Sequence, residues 1–189
     1  MKAGGLLLGL ERFGLGIHIF LISPYIIKRK DKTLTYDARQ IANWFVTRAR
    51  RDDKNLSIMS LLKITYIAHG WFLEMRNTPL FSNRIEAWQY GPVIPDVYNA
   101  FRKQGINAFG TVPILPIKIL DEDENLLEQI FNSYGNLTPF QLSDLTHVAG
   151  GPWDIATKTG GYYAPIPNEL IKQHYEHKRS EAEKQAANA

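Results

Sequence analysis

After Leu34 the apolar positions recur mainly at helical spacing, interrupted by short extended tracts rich in Gly and Pro. Asp37 is a natural N-cap for a helix over residues 38–50, with Ile41 and Phe45 on its apolar face, widened by Trp44 and Val46. Arg48, Arg50 and Arg51 crowd its end, where the helix dipole favours cations. Ser57 caps a longer helix that runs to about Met75. Its positions Ile58, Leu61, Leu62, Thr65, Ala68 and Phe72 form one face, and Met59, Tyr66, Ile67 and Trp71 extend the apolar surface well around the cylinder. A helix apolar on most sides is a buried one, so this is the expected centre of the fold.

The chain then changes character. Arg84 to Trp88 alternates like a short strand and runs into Tyr90, Gly91, Pro92, Val93, Ile94 and Pro95. Pro95 suits the first turn of a helix that Gly105 stops. Residues 112–117 are extended, but Pro113 and Pro116 argue for an edge strand or no sheet. Further helices are predicted over residues 121–134, from Thr138 and Pro139 to Gly150 with Leu142, Leu145 and Val148 inward, and from Pro167 to Lys178. A short helical turn opens at Pro152, Trp153 and Asp154.

The first 33 residues differ. Residues 13–27 are largely apolar and closed by Lys28, Arg29 and Lys30, but 15 residues are too few to span a bilayer, which needs about 20. No small-residue cleavage site follows them. Residues 1–33 therefore read as an N-terminal extension outside the fold. Leu34 is itself a candidate translation start if its codon is TTG, in which case the extension is an over-long reading of the gene. Residues 34–180 form one domain, mainly α: a compact bundle of about six helices with a minor short β element. Residues 181–189 form a polar tail expected to fray.

Charge follows the same boundary. The chain carries a net charge of +3, but residues 1–33 hold six basic and two acidic side chains, so the remainder is net negative by one. A mildly acidic body is a poor match for a phosphate backbone, and no nucleic-acid partner is expected. Hydrophobic residues at 44% and charged residues at 22% describe a globular chain, not a disordered one. With no cysteine there is no disulfide, Cys nucleophile or thiolate metal site, which fits a cytoplasmic protein.

Candidate chemistry is sparse. Ser143, Asp144 and His147 are spaced to share a helix face, which permits an enzyme reading based on His147 and Asp144. A structural histidine bonded to its own loop satisfies the same spacing. His69 and Glu74 do not have metal-ligand spacing, and His174 and His177 suit a solvated helix face. Arg84, Arg102, Lys103 and Lys118 read as ordinary surface charges. No phosphate loop or dinucleotide fingerprint is present, and no metal or cofactor is expected.

Three tracts resemble the Panacea (SocA-like, phage GepA-like) family of antitoxins. Residues 61–73 match its Tyr- and Leu-rich helix. Glu86, Ala87, Trp88, Tyr90, Gly91, Pro92, Val93, Pro95, Val97 and Tyr98 match its central signature, and Leu145, Thr146, His147, Pro152 and Trp153 match its third tract. Ala149, Gly150 and Gly151 depart from the acidic residues often found before the Pro-Trp pair. The resemblance implies a cytoplasmic antitoxin of a toxin–antitoxin system on a prophage or mobile element. It would neutralise a cognate toxin from the adjacent gene by direct protein–protein binding, with no enzymatic activity. An alternative is a proteolytic adaptor that delivers the toxin to an energy-dependent protease. Other classes are the enzyme reading above and a membrane-tethered factor using residues 13–27, although no stable membrane insertion is expected. The candidate partner-binding or motif residues are Trp88, Tyr90, Gly91, Pro92, Val93, Pro95, His147, Pro152 and Trp153. The expected contact elements are the exposed side of the first helix and the loops around residues 90–95 and 149–163.

Overall fold

The computed structural model describes residues 35–108 and 110–188. The readings of residues 1–33, as an extension and as an over-long gene start, lie outside the described residues. α1 (Ala38–Arg51) is capped by Asp37, whose side chain accepts from the Arg39 amide. A two-residue strand β1 (Leu56–Ser57) leads into α2 (Ile58–Arg76), capped by Ser57, whose hydroxyl accepts from the Ser60 amide. Every side chain of α2 from Ser60 to Leu73 is buried, so the near-continuous apolar surface does mark the central helix. α2 ends at Asn77, in the left-handed conformation that asparagine tolerates.

Next come β2 (Glu86–Trp88), β3 (Gly91–Val93) and α3 (Pro95–Phe101), which continues into a 3₁₀ turn at Arg102–Gln104. β4 (Asn107–Ala108) pairs antiparallel with β1. The last helices are α4 (Asp121–Tyr134), α5 (Pro139–Thr146), α6 (Pro152–Gly160) and α7 (Asn168–Ala187). The described residues thus hold seven helices and a few short strands around one core, with α1, α3, α4, α5 and α7 all packed on α2. No helix among the described residues is long and apolar enough to cross a membrane.

Two helix ends differ from the pattern-based reading, and one open alternative is decided. Residues 112–117 form no strand, the second of the two outcomes that Pro113 and Pro116 allowed. Instead α1 supplies side chains in place of one: Asn43 exchanges two hydrogen bonds with the Val112 backbone, at 2.8 and 2.7 Å, and Gln40 does the same with Ile117. α5 stops at Thr146 rather than near Gly150, and Val148 is exposed rather than inward. The His147 ring bonds the Ser143 carbonyl, and Gly150 turns the chain with φ +72°. α7 runs through Ala187, well beyond Lys178, with ion pairs such as Lys172–Glu176 and Lys184–Glu181 one turn apart along it.

Candidate functional site

The signature tract folds as a tight hairpin. β2 and β3 pair antiparallel with Glu86 opposite Val93, Ala87 opposite Pro92 and Trp88 opposite Gly91. Gly91 sits at φ +98°, a conformation L side chains rarely adopt. The α6–α7 connection lies along the other edge of β2: Ala87 donates to Ala164 O, Tyr163 to Ala87 O, and Ile166 to Ile85 O. Two strands alone would be marginal, and this third line of backbone ties them to the helices.

Beneath the turn lies a buried cation. The Lys63 side chain reaches from the middle of α2, and its Nζ donates to the carbonyls of Tyr90 at 2.6 Å and Pro92 at 3.2 Å. Lys63 is only 1% exposed, and burial pulls its ammonium down to about 7. A Cβ on Gly91 would stand 2.3 Å from this nitrogen and 2.6 Å from His147 Cε1. Lysine and histidine therefore close on the glycine from below, and a side chain there would have to displace the ammonium or the imidazole as well as strain the backbone.

His147 is the C-cap of α5. Its Nδ1 donates to the Ser143 carbonyl at 2.7 Å, and burial together with the nearby Lys63 charge outweighs that bond, holding the imidazole below its ordinary value. Trp153, in the first turn of α6 behind Pro152, meets the imidazole edge-to-face at 4.2 Å and donates its indole N–H to the Trp88 carbonyl at 2.8 Å. Trp88 in turn donates to Glu86 at 2.7 Å, and Arg84 caps the same carboxylate at 2.9 Å. The rings of Tyr98 and Tyr163 meet Trp88 edge-to-face at 5.0 and 5.5 Å, and Arg102 lies over Tyr98.

The structure therefore joins Trp88, Gly91, Pro92, His147 and Trp153 into one cluster, although some 60 residues separate the two tracts. Tyr90 is at the hairpin tip, 69% exposed, and Tyr163 beside Trp88 is 65% exposed. Val93, Pro95 and Pro152 are buried supports: Val93 in the ladder, Pro95 and Pro152 at the first turns of α3 and α6. Sequence reasoning missed Lys63. A single lysine in an apolar helix reads as a side chain reaching for solvent, and nothing local reveals that two carbonyls await it. It also missed that Tyr163, at φ +71°, is held in a conformation rare for an aromatic residue.

The catalytic alternative meets a different geometry from the one it needs. Ser143 Oγ lies 3.2 Å from His147 Nδ1, but that nitrogen is committed as a donor to the Ser143 carbonyl. Asp144 points to solvent, and no hydrogen bond joins it to the ring among the described residues. His174, expected on a solvated face, is half-buried near Gly151, and burial lowers it to about 4; His177 is exposed. Among the described residues no three His, Asp or Glu side chains are placed to hold a metal.

Comparison with known proteins bears on the same residues. The family model described as "Antitoxin SocA-like, Panacea domain" matches residues 61–154, a span holding Lys63, the hairpin, His147 and Trp153. The chain is also similar to a curated protein, Antitoxin SocA of Caulobacter vibrioides (strain NA1000 / CB15N). The two are 34% identical over 137 residues, covering 66% of this chain and 72% of that protein. No solved structure matches the chain.

Proposed function

Because the chain belongs to the family of SocA-like antitoxins built on the Panacea domain, we propose that it neutralises a cognate toxin, the product of an adjacent gene, by binding it directly. The observation that supports direct binding is the aromatic lip. Tyr90, Tyr162 and Tyr163 are all exposed, and Trp88 lies half-buried behind them. Tyrosines held rigidly at a surface give large contact area for little ordering entropy, and such side chains dominate protein–protein interfaces. The lip is stiff: Tyr90 stands on a turn tied to Lys63, and Tyr163 is tied to the Ala87 carbonyl.

In this reading Trp88, Tyr90 and Tyr163 touch the toxin. Gly91, Pro92, Val93, Pro95, His147, Pro152 and Trp153 hold them in place. Action is stoichiometric and cytoplasmic and needs no catalytic group. A stable complex buries about 1,200–2,000 Å² in total, so the lip is the centre of a larger footprint that includes neighbouring loops.

The test is co-expression of the neighbouring open reading frame with and without this chain, followed by assay of the purified pair. Relief of growth arrest together with inhibition of purified toxin supports direct neutralisation. A fall in toxin level with no effect on purified toxin points instead to an adaptor for proteolysis. Absence of both rescue and co-purification overturns the antitoxin reading for that gene pair. Tyr90→Ala is expected to weaken the complex by at least tenfold without lowering the melting temperature.

A further inference from the structure

We infer that Lys63 is the positioning residue of the signature turn: a buried cation that fixes Tyr90 to Val93 in the shape that displays Tyr90, so that partner binding depends on a side chain the partner never touches. This deepens the antitoxin reading and rests on it for the identity of the partner.

The argument begins with cost. Withdrawing an ammonium from water is expensive, and a leucine or methionine would fill the same space in α2 without that penalty. A lysine there needs compensation, and the turn supplies it. Carbonyls of residues two apart converge on one point because the residue between them, Gly91, adopts φ +98°. The dependence runs both ways. Without Lys63, the Pro92 carbonyl faces an apolar interior with no donor, and a buried acceptor without a partner is costly. The turn then relaxes toward solvent and takes Tyr90 with it.

His147 seals the arrangement. Its Cε1 faces the point where a Cβ on Gly91 would stand, and Trp153 packs on its other side. The charged and titratable groups around the ammonium are few. His147 comes from the end of α5 with Asp144 beyond it, and the hairpin contributes carbonyls, with the Tyr90 side chain turned outward. Burial pulls the Lys63 ammonium down to about 7, against the two carbonyl bonds that favour its charged form, so its titration reports on the turn.

Two measurements test this on the full chain. In the first, Lys63→Met is compared with wild type by circular dichroism, by backbone NMR at Gly91 and Val93, and by affinity for the neighbouring toxin. The expected result is a folded protein with shifted Gly91 and Val93 resonances and at least tenfold weaker binding. A folded variant with unshifted turn resonances, or with affinity within twofold of wild type, overturns the inference. The second measurement needs no Lys63 variant and so survives a failure of Lys63→Met to fold. In wild-type protein the Lys63 Cε resonance is expected to titrate near neutrality, with the Gly91 amide following the same midpoint. The step is expected to persist in His147→Gln, which removes the neighbouring imidazole. A Gly91 amide that ignores the Lys63 titration, wherever its midpoint falls, overturns the inference. If wild type fails to bind the neighbouring gene product, the antitoxin reading falls and the NMR titration alone decides what Lys63 does.

Discussion

His69 and Gly91 show how single residues are committed by their surroundings, one by burial and the other by its backbone angle. His69 lies wholly inside the core, its ring 4.1 Å from that of Phe81, its Nε2 on the Asn168 side-chain oxygen and its Nδ1 without a hydrogen-bond partner among the described residues. Burial lowers it to about 4 against an ordinary 6.5. The folded state therefore resists a proton that the unfolded chain accepts below 6.5. The stability contribution is complete above pH 6.5 and is lost as pH falls toward 4, by up to ~3 kcal/mol. Urea denaturation from pH 7 to 4 should show a steeper loss for wild type than for His69→Phe, which cannot titrate; parallel curves would reject this account. Gly91→Ala is expected to cost ~1–3 kcal/mol through its backbone angle and the contact with Lys63 and His147. Chemical denaturation reads that cost directly. In the sequence Gly91 stands out only as part of an extended tract rich in Gly and Pro. Its neighbours were not legible, because Lys63 and His147 are 28 and 56 residues away along the chain.

At the scale of elements, the most extensive helix packing among the described residues is between α2 and α7. Gly70 lets the two meet: a Cβ there would lie 2.1–2.5 Å from ring atoms of Tyr175. That ring has no room to retreat, being buried and edge-on to Trp71 at 5.0 Å. Gly70→Ala is expected to cost ~1–3 kcal/mol by overpacking, measured as a drop in thermal midpoint. The far end of α7 behaves differently. Arg179 forms a two-pronged bond with the Glu74 carboxylate, one arm at 2.7 Å, whereas the residues beyond Ser180 are mostly exposed. Deleting residues 181–189 should change stability by less than ~0.5 kcal/mol, and Arg179→Ala by more than that deletion. The reverse order would show that the extended helix itself stabilises the fold. The sequence indicated a helix here and placed its end too early, because a polar run with intrahelical ion pairs looks like a fraying tail until the anchoring residues are seen.

Over the whole molecule, the residues described after Leu34 supply a continuous hydrophobic core. If residues 1–33 are the extension that their sequence suggests, a chain beginning at Leu34 is expected to fold with a melting temperature within about 2 °C of the full chain. A larger drop would mean that residues 1–33 contribute to the core. The domain is held from several sides around α2. Trp71 donates to the Tyr134 hydroxyl at 2.9 Å, linking α2 to α4. Arg48 and Trp44 of α1 reach Glu128 and Glu124 of α4. These links tie together helices that are adjacent neither in sequence nor by short turns.

What the sequence determined by itself was local and periodic: the helices, their caps, the centrality of α2, the breaks at Gly and Pro, and the family to which the motif tracts belong. Those features depend on residues within about four positions of each other or on a linear pattern, and such information survives without a fold. The tertiary structure alone decided how the hairpin is built and backed. The added line of backbone at residues 163–166, the Lys63 ammonium under the turn, and the meeting of His147 and Trp153 with Trp88 and Gly91 are pairings between distant segments. They exist because α2, α5 and α6 converge on one end of β2 and β3, and the buried polar groups brought there must satisfy one another in the absence of water.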